Sequence, residues 1–191
     1  MPTYIIEHLE PRVWKWCLIE YKNISKLVGK NNLWFTNIKS NDKASKELKK
    51  YGKVMKQSVR ELSLTNVCVL DPETPKTLNS KEAKKFKYYI FGGILGDYPP
   101  KKRTKVELTQ FIKGAKVRNI GKEQMSTDNA VYTVKQIVNG TPLKDLKFKD
   151  NIEIKINDIE SVSLPYRYNL VKGKPFISNE ILTYLKRKKG F

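Results

Sequence analysis

The sequence holds a single histidine, His8, and two cysteines, Cys17 and Cys68, in 191 residues. Two thiols cannot build a disulfide framework, and one imidazole without clustered cysteines excludes a His/Cys transition-metal site, so no metal is expected. The same shortage argues against a Ser-His-Asp hydrolase, and no GxSxG elbow is present. GxGxxG and GxxxxGK[ST] are missing as well, which weighs against dinucleotide-binding and P-loop NTPase chemistry. No stretch approaches the ~18–20 apolar residues of a membrane-spanning helix, and the first residues lack the basic-then-apolar layout of a secretory signal. Both cysteines sit in apolar segments. A cytoplasmic chain with reduced core thiols and no membrane association is expected.

Acidic residues are also scarce, 19 Asp and Glu against 38 Lys and Arg, a formal net charge of +19. Such a surplus attracts polyanions such as RNA or ribosomes. Only six of the 38 basic residues are arginine. Lysine meets phosphate as a point charge and lacks the fork that reads guanine edges. An RNA-rich partner is therefore expected, attracted through its backbone, and a lysine-rich surface with no ligand is the bland alternative. Hydrophobic residues make up 39%, with three Trp, ten Tyr and seven Phe, which is too rich for disorder and enough for one core.

Tyr4-Ile5-Ile6 and Leu33-Trp34-Phe35-Thr36 have the make-up of strands. Between Pro11 and Gly29, residues Val13, Trp14, Cys17, Leu18, Tyr21, Ile24, Leu27 and Val28 recur at three- and four-residue spacing. This predicts a helix opening at Pro11, closing at Gly29 and burying one stripe, against a core or a dimer partner. A lysine-rich helix is predicted from about Asp42 to Tyr51. The run Asn66-Val67-Cys68-Val69-Leu70 reads as a strand buried on both faces. Lys87-Tyr88-Tyr89-Ile90-Phe91 reads as another, stopped by Gly92-Gly93, and residues 115–120 as a further one, stopped by Gly121. A helix is expected from Ser126 to Gly140, burying Ala130, Val131, Val134 and Val138. Strands alternating with helices predict one α/β domain over residues 1–191 with an open, mainly parallel sheet. Residues 140–191 complete it with short strands, among them the alternating Ile152–Ile156 run, and a terminal helix near Asn179–Arg187. The basic run Lys186-Arg187-Lys188-Lys189 is read as solvated.

Open α/β sheets bind ligands beyond the carboxyl ends of their strands. Three loops qualify: Leu70-Asp71-Pro72, residues 91–100 (FGGILGDYPP) and residues 121–128 (GKEQMSTD). In the second, Gly92, Gly93 and Gly96 allow positive φ and close approach of backbone to a ligand. Ile94 and Leu95 offer apolar cover for a flat ring. In the third, Ser126, Thr127 and Asp128 open a helix, where capping and ligand contact are compatible.

Four stretches in this order resemble one family. They are Tyr4-Ile5-Ile6-Glu7-His8, residues 91–100 with Arg103-Thr104, Gln124-Met125-Ser126-Thr127-Asp128, and Pro165-Tyr166-Arg167-Tyr168. The chain resembles the SPOUT (trefoil-knot) methyltransferases whose fungal member methylates an arginine of a small-subunit ribosomal protein, and whose archaeal relatives are described as RNA methyltransferases. The resemblance implies a SPOUT fold knotted near residues 91–130, and S-adenosylmethionine as cofactor. It would be held by Leu70 and Asp71, by Gly92, Gly93, Ile94, Leu95 and Gly96, and by Ile120, Gly121, Gln124, Met125, Ser126 and Thr127. A substrate guanidinium must lose a proton, and a carboxylate is the expected device. Asp97 is the first candidate and Glu7 the second. Arg103, Arg118 and Arg167 are candidate contacts for substrate or for the cofactor carboxylate. The favoured acceptor is a ribosomal-protein arginine, with RNA as the alternative acceptor and a non-catalytic RNA- or ribosome-binding module as a third reading. A homodimer is compatible with the resemblance, since many SPOUT enzymes complete each site from two chains.

Overall fold

Alternation of side chains along the first strand sets the layering of the molecule. Tyr4 and Ile6 point to one face, and Ile5 and Glu7 to the other. In chain order the computed structural model, which describes residues 1–187, runs β1 (Thr3–His8), α1 (Lys15–Val28), β2 (Leu33–Thr36), α2 (Lys43–Glu47), β3 (Lys53–Val54), β4 (Val67–Leu70) and α3 (Ser80–Ala83). It continues with β5 (Tyr88–Gly93), α4 (Arg103–Glu107), β6 (Lys116–Arg118), α5 (Thr127–Val138), β7 (Phe148–Lys155), β8 (Ser161–Val171), β9 (Lys174–Pro175) and α6 (Asn179–Arg187). Lys188 and Lys189 of the basic run lie outside the described residues.

Six strands pair in parallel in the order β3-β2-β1-β5-β4-β6. On one face Tyr4, Ile6, Cys68, Tyr89 and Phe91 pack against the apolar sides of α1 and α5. On the other, Ile5, Val69 and Ile90 are covered by Val59 and Leu108 from short helical turns. β4 is buried along its whole length, as its unbroken apolar run predicts. Cys17 and Cys68 are buried free thiols.

A second, antiparallel sheet (β7-β8-β9) follows. With α6 it builds a separate apolar cluster of Ile152, Leu164, Tyr168, Ile181 and Leu185 against Ile19 of α1. α1 is therefore buried on two sides, where the sequence suggested one stripe, and the chain's own C-terminal layer covers its second side.

Three boundaries differ from the sequence reading. α1 begins at Lys15, because residues 10–12 form a bend before it. β5 runs through Gly92 and Gly93, which pair with Glu7 and His8 of β1, so those glycines extend the strand. The region expected to hold only short strands contains β8, eleven residues long and paired on both edges. Ala130 and Val138 are partly buried against the main core, while Val131, Val134 and Ile137 fill it. Among the described residues no helix is long and apolar enough to cross a membrane.

Candidate functional site

The carboxyl ends of β4, β5 and β6 open into one cleft of about 310 Å³, at the small end of the size range for ligand sites. The first loop contributes Leu70, Asp71, Pro72 and Glu73. The second contributes Phe91, Gly92, Ile94, Gly96 and Asp97, followed by residues 100–104. The third contributes Ile120, Gly121, Gln124 and Met125 with Lys122 and Glu123, and α5 adds Thr127 and Ala130. The three loops singled out in the sequence thus meet.

Close approach explains the glycines of the second loop, and positive φ does not. A Cβ on Gly96 would lie 2.6 Å from Gln124 Nε2 and 2.7 Å from Tyr166 Cε1. The Tyr166 hydroxyl donates to the Gly96 carbonyl at 2.9 Å, and Gln124 Nε2 donates to the Asp97 carbonyl at 3.2 Å. The Arg167 backbone N–H donates to the Gln124 carbonyl at 2.8 Å. One wall of the cleft is thereby sewn to β8. Left-handed backbone is needed instead at Gly121, with φ of 107°.

Several expected cofactor contacts face elsewhere. Gly93 abuts α1, where a Cβ would run into the Tyr21 hydroxyl. Leu95, partly buried, packs against the main core, and its N–H donates to Glu10 Oε1 at 3.0 Å. The Ser126 hydroxyl donates to Asp128 Oδ1 at 2.7 Å. None of the three lines the cleft. Glu7, a candidate catalytic carboxylate, is fully buried on the opposite sheet face. It accepts hydrogen bonds from the Thr36 hydroxyl, the Ser58 hydroxyl and the Val59 N–H, and its role is to pin that turn under the sheet.

Asp97 does line the cleft, with its side chain 27% exposed and one oxygen 3.1 Å from Lys101 Nζ. Lys102 reaches Glu73 at 2.9 Å and ties the second loop to the first. Asp71 is buried and braces the floor, accepting from the Glu73 N–H at 2.9 Å and the Thr109 hydroxyl at 2.7 Å.

The three arginines divide. Arg103 lines the cleft, but its guanidinium is committed to Glu107 and Glu10, at 2.7 and 2.8 Å, and those bonds hold its pKa above the ordinary value. It fastens the loop. Arg118 forms a two-pronged pair with Glu82, at 2.7 and 3.0 Å, and does not line the cleft. That arrangement engages both prongs of its fork. Arg167 pairs with Asp150 at 2.7 and 2.8 Å, yet Nη1 comes within 3.5 Å of where a Cβ on Gly121 would stand, so it sits at the rim.

Sequence reasoning passed over Glu10 and Glu20. Glu10, which orients both Leu95 and Arg103, follows β1 in a stretch with no periodicity to mark it. Glu20 is buried between Ile19 and Tyr21 on α1, and a charged residue between apolar neighbours was the available signal. Burial, and then the nearby Asp128 charge, push its carboxyl well above the ordinary range. His8 is buried, its Nδ1 2.8 Å from the Tyr21 hydroxyl, and burial lowers its pKa. It belongs to the core.

The profile of the family described as "Protein arginine N-methyltransferase SFM1-like" matches residues 3–190. The chain belongs to this SFM1-like family. It is 34% identical over 200 residues to the protein arginine N-methyltransferase SFM1 of Saccharomyces cerevisiae, covering 96% of this chain and 94% of that protein. The SFM1-like fold superposes on crystal structures of the yeast enzyme complexed with SAM (TM-score 0.87, 32% identity, 97% of this chain, 90% of that one). The match is similar for the complex with SAH (TM-score 0.86, 32% identity, 96% and 94%). Trm10 from Thermococcus kodakaraensis shares the SPOUT fold at 20% identity (TM-score 0.57, 76% of this chain and 96% of that one).

Proposed function

We propose that this SFM1-like chain is an S-adenosylmethionine-dependent methyltransferase whose acceptor is a protein arginine, in a ribosomal protein carried within its particle. The observation that carries the reading is the meeting of the three loops in one cleft, in a chain 34% identical to the yeast arginine methyltransferase. The cleft fits the cofactor by its own chemistry. Leu70, Phe91, Ile94, Ile120 and Ala130 supply apolar wall for an adenine, and Gly92 and Gly96 bring backbone to the surface. Asp71 and Gln124 fix the loop ends. Bound there, the cofactor supplies an electrophilic methyl group on a sulfonium.

The chain's part is alignment and charge. Asp97, partly exposed and paired with the exposed Lys101, would receive an arriving guanidinium in exchange for that lysine. Arg103, held by Glu10 and Glu107, keeps that loop in place. The charge of +19 supports a target embedded in RNA. A free basic ribosomal protein would be repelled by such a surface, whereas an RNA-rich particle would be drawn to it.

Methyl-labelled S-adenosylmethionine, offered with intact small ribosomal subunits and separately with their stripped proteins, tests this. Label should enter protein, resist nuclease, favour intact subunits and fall as salt rises. Nuclease-sensitive label would mean an RNA acceptor. A chain that takes up no S-adenosylhomocysteine in calorimetry would be a binding module and no enzyme.

A further inference from the structure

The lysine surplus is not spread evenly along the chain. Residues 39–60 hold eight basic residues and two acidic ones, about a third of the net +19, whereas residues 140–160 hold four basic and five acidic. Both acidic groups of the first stretch are engaged. Asp42 Oδ1 accepts the Ser45 N–H at 2.8 Å and caps α2, and Glu47 pairs with Lys22 of α1 at 3.1 Å.

Burial of Ser45 and Leu48 fixes the inward side of α2 and of the single turn Leu48–Lys50 that follows it. Lys43, Lys46, Lys49 and Lys50 are therefore turned outward, and Lys53 of β3 and Lys56 after it extend the stripe; all six are exposed. Among the described residues none of the six has an ion-pair partner. At the cleft, by contrast, Lys101 and Lys102 are both held by carboxylates. Lys53 lies over Trp34, its Nζ 4.5 Å from the ring centre, so an aromatic face holds this ammonium at the surface.

Like charges three and four residues apart on a helix repel, so the stripe costs stability in the free chain. Lysines on an edge strand do keep it from pairing with another chain. That use covers Lys53 and Lys56 on and beside β3, but not the four on α2 and its turn. A surplus arising from general composition would not leave residues 140–160 without a share. A stripe of unpaired ammonium groups with its carboxylates engaged is the complement of a polyanion.

We propose that the β3 edge of the sheet, with α2 and its turn, is an RNA-docking surface that grips phosphates and reads no sequence. It rests on the functional reading above for the class of partner, and places that partner away from the cleft. Six lysines and no arginine among the named groups suit point-charge contact with the backbone. In the sheet order β3 stands three strands from β5, about 14 Å at ordinary strand spacing. RNA held along this edge leaves the mouth of the cleft open to a protein segment of the same particle.

The experiment compares two variants of equal net charge. One carries Lys43→Gln with K46Q, K49Q and K50Q; the other carries Lys144→Gln with K147Q, K149Q and K155Q, four exposed lysines of the second stretch. Binding of a fluorescein-labelled RNA hairpin is read by anisotropy over a range of salt. The first variant should bind about tenfold or more weakly, with a slope of log affinity against log salt shallower by about two to four. The second should stay within about threefold of wild type. Arginine at the same four positions should restore binding. On small ribosomal subunits the first variant should raise KM and leave kcat and S-adenosylhomocysteine affinity unchanged, and on stripped proteins it should be no slower than wild type.

Equal losses in the two variants would mean that the surplus acts as a whole, and would overturn the inference. So would RNA affinity unchanged in the first variant, or a first variant that loses binding to phosphatidylserine vesicles while keeping RNA. If the first variant does not fold, K53Q with K56Q tests the same surface against K147Q with K149Q, and equal salt slopes overturn the inference. Wild-type chain that methylates no arginine, with the RNA results as expected, overturns the functional reading and supports the docking surface. Arginine methylation with equal RNA binding in both variants overturns the docking surface alone.

Discussion

Gly96→Ala places one carbon at the seam between the second loop and β8. The new Cβ would sit 2.6 Å from Gln124 Nε2 and 2.7 Å from Tyr166 Cε1. The Gln124 amide ends a flexible side chain and can turn away. The Tyr166 ring is anchored by its hydroxyl to the Gly96 carbonyl, so the loop itself must move by several tenths of an ångström. Overpacking of this kind costs roughly 1–3 kcal/mol. If the free protein relaxes by letting the loop swing off β8, ligand binding must reverse that movement, and the affinity falls by about 5- to 140-fold. Calorimetry with S-adenosylhomocysteine reads the loss, and a thermal melt reports how much of the strain appears as global instability. Adding Tyr166→Val opens the space and should restore part of the affinity, a coupling expected only of residues in contact. Unchanged affinity in Gly96→Ala, with or without a lower melting temperature, would refute the assignment of this seam as a wall of the binding cleft.

Three further outcomes are expected. Asp97→Asn should leave S-adenosylhomocysteine affinity near wild type and lower turnover on small subunits by about tenfold or more; calorimetry and initial rates together check the split. Arg103→Met should free Glu10 and Glu107 and destabilise the protein by about 1–2 kcal/mol, some 2–8 °C of melting temperature, with weaker ligand binding because the Leu95 carbonyl loses Arg103 and Glu10 loses the cation that orients it. Burial pushes the thiols of both Cys17 and Cys68 up to about 12. A disulfide exchange reagent at pH 8 should therefore find no reactive thiol in the native protein and two after denaturation, and fast native labelling would contradict the packing of the main core.

The parts legible in the sequence were those set by local chemistry. Continuous apolar runs placed β4 and β5, the three-four spacing placed α1, and Gly29 marked its end. The position of the loops after parallel strands was enough to bring the second and third together with Leu70 and Asp71. What the sequence hid depends on contacts between distant segments. Glu7 resembles a site carboxylate until Ser58 and Val59 are seen to enclose it. Arg118 resembles a ligand until it meets Glu82, 36 residues away along the chain. The role of β8 was hidden for the same reason, because its Tyr166 gains meaning only where it touches Gly96. Glu20 lay outside the stripe that the spacing marked, and the second buried side of α1 is supplied by residues more than a hundred positions later.

The most direct test of the account is chemical identification of the methylated residue. Small ribosomal subunits from cells lacking this protein, incubated with it and methyl-labelled S-adenosylmethionine, would be digested with nuclease, and the protein fraction hydrolysed to amino acids. The account predicts label that co-migrates with methylarginine and enters about tenfold or more slowly when Asp97 is changed to Asn. Label in nucleotides, or in any other amino acid, would contradict it.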